Sequence, residues 1–385
     1  MNLGKFHGAV WAIDQEFEVL GIIALLAKLQ ASLTQSVAQP NAQTADAFNT
    51  DLDEFIAAIE KSPSNEVTPS RRRIFIELGA AGMIGSGLQT RILNIIQENT
   101  ITPAAALSKI QQLAKEVKVF YDTIHRLAEG LDELEVEFDE LDPGEHEIGV
   151  SIPEYLLNHS ISNVEKELKC INELFNVISE VSIGEPGHFS LRTIGSSELE
   201  VFSVTTPVVA LCIATAIERI VALYKQHLEI KKLKLEFEHM KMPTKVTKPL
   251  DDHIKTMVKS ELELISKDLI KDFYKSDDNG RKNELTTHLT KVLGYMAERI
   301  DKGATFEVRV GLPKENTTSQ EDPTKSDEEK LKELQENERV LVESIKLNEA
   351  GRKAGELGPR TEEILMLPEP YTPEQVQEIE KEPTE

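Results

Sequence analysis

Residues 201–217 run for seventeen positions without a charged side chain. Such a stretch has to be enclosed by other apolar groups, and its length lies at the lower edge of what crosses a bilayer. Pro207 divides it. Before the proline, Leu199, Val201 and Ser203 alternate as in a strand; after it, Glu218 and Arg219 interrupt the apolar run inside the same helix. Only residues 208–217 are both helical and apolar, so the expectation is a buried core helix, with a membrane-embedded or self-associating segment as the alternative.

The helix opened by Pro207 has no breaker until about residue 242, and its second half is charged. Residues 225–259 hold nine lysines against five acidic residues, the one long basic stretch in a chain of net charge −24. That overall acidity argues against a nucleic-acid coat, because phosphates are repelled unless a basic face is set apart. No DNA partner is expected. Leu223, Leu228, Ile230, Leu233, Leu235 and Phe237 form a partial apolar stripe through this half. A protruding stripe takes a partner helix, in the manner of a coiled coil. The expectation is a homo-oligomer, a dimer, with Leu228, Leu233 and Phe237 in the contact and Lys231, Lys232 and Lys234 available to an acidic surface. The competing account folds residues 251–274 back over the same stripe after Pro243 and Pro249.

Periodicity divides the rest of the chain. In residues 1–129 apolar positions recur at helical spacing, as in Phe48, Leu52, Phe55, Ile56 and Ile59, or Leu107, Ile110, Leu113, Val117, Phe120, Ile124 and Leu127. This predicts a helical bundle, with one buried helix over 13–33. In 130–204 the period falls to two. Leu134, Val136 and Phe138 alternate with Glu135, Glu137 and Asp139, and Ile148, Val150 and Ile152 follow an Asp142-Pro143-Gly144-Glu145 turn. This predicts a β-hairpin. A helix over 163–183 comes next, then a second hairpin turning at Gly195-Ser196-Ser197-Glu198. Residues 205–312 add two further amphipathic helices and a short strand at 305–310 that can join the hairpins. The fold class is therefore mainly α with a small antiparallel sheet, followed by a disordered acidic tail. That tail, 313–385, has ten basic and twenty acidic residues and a single aromatic, Tyr371, and buries too little apolar surface to offset its ordering entropy. One apolar island in it, Ile364-Leu365-Met366-Leu367, is suited to docking in a groove.

Several constellations invite chemistry and have plain alternatives. The order Ile74-Phe75-Ile76-Glu77-Leu78, then Gly79 to Gly87, then a helix resembles a strand, phosphate-binding loop and helix. It lacks Gly-Lys-Ser/Thr and the ordered Gly-x-Gly-x-x-Gly, and a close-packed bend explains it as well. The acidic run from Asp132 to Glu147 has no EF-hand spacing. Glu135, Glu137 and Asp139 share one strand face, either as a solvated surface or as a docking face for a basic partner. No His-Glu-x-x-His or Cys-x-x-Cys occurs, and His146-Glu147 is the best of the remaining ligand pairs. Gly-x-Ser-x-Gly is absent too. Cys170 and Cys212 sit among apolar neighbours, which points to inert packing in a reducing compartment. Met1–Lys5 is followed by Glu16 and Glu18, not by the apolar run of a leader.

No catalytic residue, cofactor or metal ligand is assigned from these patterns. The expectation is a non-catalytic cytoplasmic interaction or assembly subunit whose protein partner is not named by the sequence. The alternatives are a membrane-associated regulator using 201–234 and a nucleotide-binding protein or enzyme using 74–97.

Overall fold

A computed structural model describes residues 2–142, 144–187, 189–195, 198–239 and 244–311, together with Arg339, Val342, Lys346, Leu347, Glu349, Ala350, Lys353 and Leu365. Side chains at 231, 233–239 and 244–256 lie outside the description. The chain forms two compact units, Met1–Asp139 and Glu140–Glu385.

The first unit is helical: α1 (Leu3–Leu20), α2 (Ile22–Ala38), α3 (Ala42–Glu60), α4 (Pro69–Glu77), α5 (Gly85–Glu98) and α6 (Pro103–Glu133). Local chemistry sets the ends. Asn2 caps α1 by accepting from the Gly4 N–H, and Asn41 with Thr44 makes a capping box on α3. The single helix expected over 13–33 is two, because Gly21 adopts a left-handed φ of 62° and ends α1. Phe17, Ile22, Leu26, Phe55, Ile59, Leu88, Ile92 and Val117 fill the core between these helices.

In the second unit, β1 (His146–Ile152), β2 (Ser190–Gly195), β3 (Leu199–Thr205) and β4 (Thr305–Val310) form an antiparallel sheet in the order β2-β3-β1-β4. The hairpin of β2 and β3 is as expected, and β4 joins the sheet. The first hairpin is not formed. Residues 134–139 are no strand, and β1 pairs instead with β3 and β4, Val150 facing both Val201 and Phe306. Ile148, Val150, Ile152, Leu199, Val201, Phe306 and Val308 point into the core. On the opposite face Gly149 lies across from Phe202, whose ring occupies the space a Cβ would need.

Short α7 (Glu154–Leu157) leads to α8 (Ile161–Ile183), and α9 (Pro207–His239), α10 (Thr244–Phe273) and α11 (Asn279–Asp301) complete the unit. By length and composition, Pro207–Ile230 could cross a membrane, yet most of it is buried within the unit. Val209, Ile213, Ala216, Ile217, Ile220 and Tyr224 are fully enclosed by α8, α10, α11 and the sheet. Pro249 does not interrupt α10. The helix returns along α9, with Arg219 2.8 Å from Asp272, which is the fold-back arrangement. Glu167 of α8 receives Arg299 of α11 at 3.0 and 2.6 Å and the Tyr295 hydroxyl at 2.9 Å, so the buried charges are mutually satisfied. Three tail residues, Leu347, Ala350 and Leu365, belong to this same core.

Candidate functional site

The acidic run of the first unit is built by the end of α6. The N–H of Glu135 bonds to the Asp132 carbonyl and that of Val136 to the Leu131 carbonyl, the two bonds of a Schellman ending. The left-handed position falls on Glu135, at φ 54°, where glycine is the usual residue. The chain then leaves as an extended arm along α1. Gly4 makes room for it, since a Cβ there would lie 2.7 Å from the Glu137 carbonyl oxygen, and Gly8 lies under the Phe138 ring at ordinary contact distance. His7 anchors the arm through Nδ1–H to the Val136 carbonyl at 2.6 Å and stacks on Phe138 with centroids 4.3 Å apart. Lys5 pairs with Asp139 at 3.8 Å.

The two-residue alternation at 134–139 thus reports an extended chain covered on one side by a helix, not a strand. Of the three acidic residues singled out by sequence, Glu135 and Glu137 are exposed and Asp139 is turned to Lys5. Phe138, which follows Glu137 in the arm, packs on Trp11 as an aromatic pair. Trp11 of α1 is 45% exposed and Phe138 37% exposed, and Leu134 beside the arm is open to solvent. Exposed aromatics and exposed carboxylates on one arm are chemically fitted to a lysine-rich segment with an apolar anchor.

A second cluster in the same unit escaped the sequence reading. Asp14 and Glu18 are one turn apart on α1, and His125 and Glu129 one turn apart on α6. His125 Nδ1 lies 3.0 Å from Asp14 Oδ1, and its Nε2 lies 3.5 Å from Glu129 Oε1. The hydrogen bond to Asp14 holds the imidazolium above the ordinary histidine range. Tyr121, with its ring 5.7 Å from that of His125, keeps its proton more tightly because of burial and the nearby charges of Asp14, Glu18 and Asp122. Asp14 and His125 are 111 residues apart, so only the paired one-turn spacings, once both helices are drawn, could have flagged them.

The other patterns resolve differently. The segment expected as a strand at 74–78 belongs to α4 and its end, started by Thr68 as N-cap and Pro69 in the first turn. The first turn of α5, where a phosphate would sit, holds protein groups. The buried carboxylate of Glu16 accepts from Gly85 N–H at 3.3 Å, Ser62 Oγ at 2.6 Å, Ser64 N–H at 3.2 Å and the Ser64 hydroxyl, while Asn65 Oδ1 accepts from Ser86 N–H at 2.7 Å. Gly87 admits the Ala81 carbonyl, the close-packed bend that the glycines also allow.

His146 and Glu147 are not brought together as ligands. His146 Nδ1 bonds to the Gly144 carbonyl, and Glu147 takes Arg309 at 2.7 and 2.6 Å. On α9, Leu228 is half-buried against the core and Lys232 is exposed, whereas the side chains of Lys231, Leu233, Lys234 and Phe237 lie outside the described residues. Ser196 and Ser197 also fall outside the description. No family model, curated protein or solved structure matches this chain.

Proposed function

We propose that the protein is a non-catalytic interaction subunit, and that the arm at 134–139 with Trp11 forms its docking face. The occupant is a lysine-rich amphipathic segment of a protein partner. The observation that carries this is the conformation of Glu135. A glutamate in the left-handed region costs on the order of 1 kcal/mol that glycine would not. The chain keeps it at the start of the arm that carries a second exposed glutamate, Glu137, and Phe138, whose ring packs on the exposed Trp11. The aromatic pair supplies the desolvated anchor and the carboxylates supply steering and register.

A labelled peptide copying residues 225–259 has the required chemistry and serves as the probe in fluorescence anisotropy with the full chain. Saturable binding that weakens with salt supports the proposal. Trp11→Ala should reduce affinity by about 30-fold or more, as for an anchor residue. Glu135→Gly is the discriminating variant, since it removes charge and relieves backbone strain together. Binding should fall about 2–5-fold while thermal stability rises. Light scattering then assigns the source of the segment: a dimer places it on a second copy, a monomer on a different protein. Absence of binding, or binding indifferent to Trp11 and Glu135, overturns the reading.

A further inference from the structure

Among the described residues, Asp14, Glu18 and His125 are the one group of three or more metal-ligating side chains whose donor atoms converge, each within 4.8 Å of the others. We propose that these three residues bind a divalent first-row transition cation.

The argument starts from the helices. Spacing of i and i+4 puts Asp14 and Glu18 on one face of α1, and His125 and Glu129 on one face of α6. Packing of α1 on α6 through Phe17 and Tyr121, with ring centroids 4.9 Å apart, fixes the two faces against each other. The Asp14 and His125 donors, 3.0 Å apart, already have the separation of neighbouring ligands around a cation with bonds of about 2.0–2.2 Å. Asp14 is buried and held in place, whereas Glu18 is exposed and turns freely to close the remaining gap.

The outer shell is present as well. A ligating histidine ordinarily donates its second ring N–H to a carboxylate, which fixes the tautomer. With Nδ1 on the cation, Nε2–H faces Glu129 at 3.5 Å. Three carboxylates around one imidazole leave the pocket negative, while Tyr121 beside it stays protonated and neutral and Asp122 is paired with Lys118 at 3.1 Å. One nitrogen and two oxygens suit Zn²⁺, Co²⁺ or Mn²⁺ better than Ca²⁺ or Mg²⁺, which favour oxygen-only shells. Three protein ligands leave positions for water, so the site is open, with room for an exchangeable ligand.

The test is titration of the chelator-treated full chain with Zn²⁺ by calorimetry, with Co²⁺ absorption as a spectroscopic reporter and Mg²⁺ as the control cation. One saturable Zn²⁺ site, a raised melting temperature and Co²⁺ bands are expected. Glu18→Gln is exposed and leaves the helix packing intact, so it separates ligation from folding; it should weaken Zn²⁺ at least tenfold. His125→Ala should abolish the Co²⁺ bands, and Glu129→Gln should weaken binding by about 10–100-fold as an outer-shell change. His159→Ala, an exposed histidine of the other unit, should change nothing. Zn²⁺ binding unaffected by Glu18→Gln and His125→Ala, or no tighter than Mg²⁺, overturns the proposal.

Discussion

The indole of Trp11 and the ring of Phe138 meet edge to face, with centroids 5.8 Å apart and planes inclined at 63°. One ring comes from α1 and the other from the arm that follows α6, so the contact exists only while the arm lies in its track. His7 stacks on the far partner of the pair and bonds to the arm's backbone, which couples the aromatic face to the helix end that created it.

Gly4→Ala tests that track. The added methyl would meet the Glu137 carbonyl at 2.7 Å and the Asp139 amide at 2.8 Å, both backbone atoms that cannot rotate away. The arm is expected to lift, at a cost of about 1–3 kcal/mol. Urea denaturation should show the loss, and protease should cut the variant within 134–139 faster than the parent. Gly130→Ala, where a Cβ meets nothing within 4 Å, is the control.

Glu16 organises the turn before α5. Replacing it by alanine strips an acceptor from two serine hydroxyls and two backbone N–H groups at once. With buried charge-assisted bonds worth about 1.5–3 kcal/mol each and water replacing part of the loss, a destabilisation of about 3 kcal/mol is expected. Glu16→Gln should cost less, because its carbonyl still accepts. Equal stability of Glu16→Ala and the parent in chemical denaturation would contradict the arrangement.

Burial pushes the Cys170 thiol up to about 11 and the Cys212 thiol up to about 12. The thiolate is the nucleophile, so near pH ~8 both should resist iodoacetamide in the folded chain and react promptly once it is unfolded. The folded state holds these two protons more tightly than the unfolded state. Their contribution to stability is therefore complete at neutral pH and declines as pH rises past the ordinary thiol value of 9.0. Mass spectrometry after timed labelling reads the outcome, and rapid native modification of Cys212 would contradict it.

Leu365 brings the acidic tail into the second unit. Its side chain is fully buried, and its N–H donates to Asp301 Oδ2 at 2.8 Å. Leu365→Ala is expected to cost about 2–4 kcal/mol, and a chain ending at residue 312 should unfold at lower urea than the full chain, since it also loses Leu347 and Ala350. An unchanged midpoint would show that the tail adds nothing to the core. The composition of 313–385 fits a disordered acidic tail, and Leu347, Ala350 and Leu365 are the described positions within it that pack on the core.

The legible parts of the fold were those in which neighbours in sequence are neighbours in space. The β2–β3 hairpin, helices α3 and α6 of the first unit and the apolar half of α9 all follow from local pattern. Residues 134–139 show the limit. Alternation announced an extended chain with one covered face, but what covers it is α1, more than a hundred residues away. Ile74-Phe75-Ile76 favoured a strand by propensity, yet the Thr68-Pro69 start and the packing of α4 won. Gly21 hid inside an apolar run because one left-handed residue leaves no periodic trace. For the site, Glu135, Glu137 and Asp139 were visible as acidic residues, while Trp11, His7 and the close approach at Gly4 were not, since their role is set by tertiary packing alone. The Asp14–His125 contact was invisible for the same reason.

Trp11 is the sole tryptophan of the chain, so its emission reports on the docking face without labelling. Titration with the 225–259 peptide should shift that emission to shorter wavelength, protect it from acrylamide and saturate, and high salt or the pair Glu135→Gly with Glu137→Gln should suppress the change. Emission that stays constant and equally quenchable throughout the titration would contradict the assignment of this face as the interaction surface.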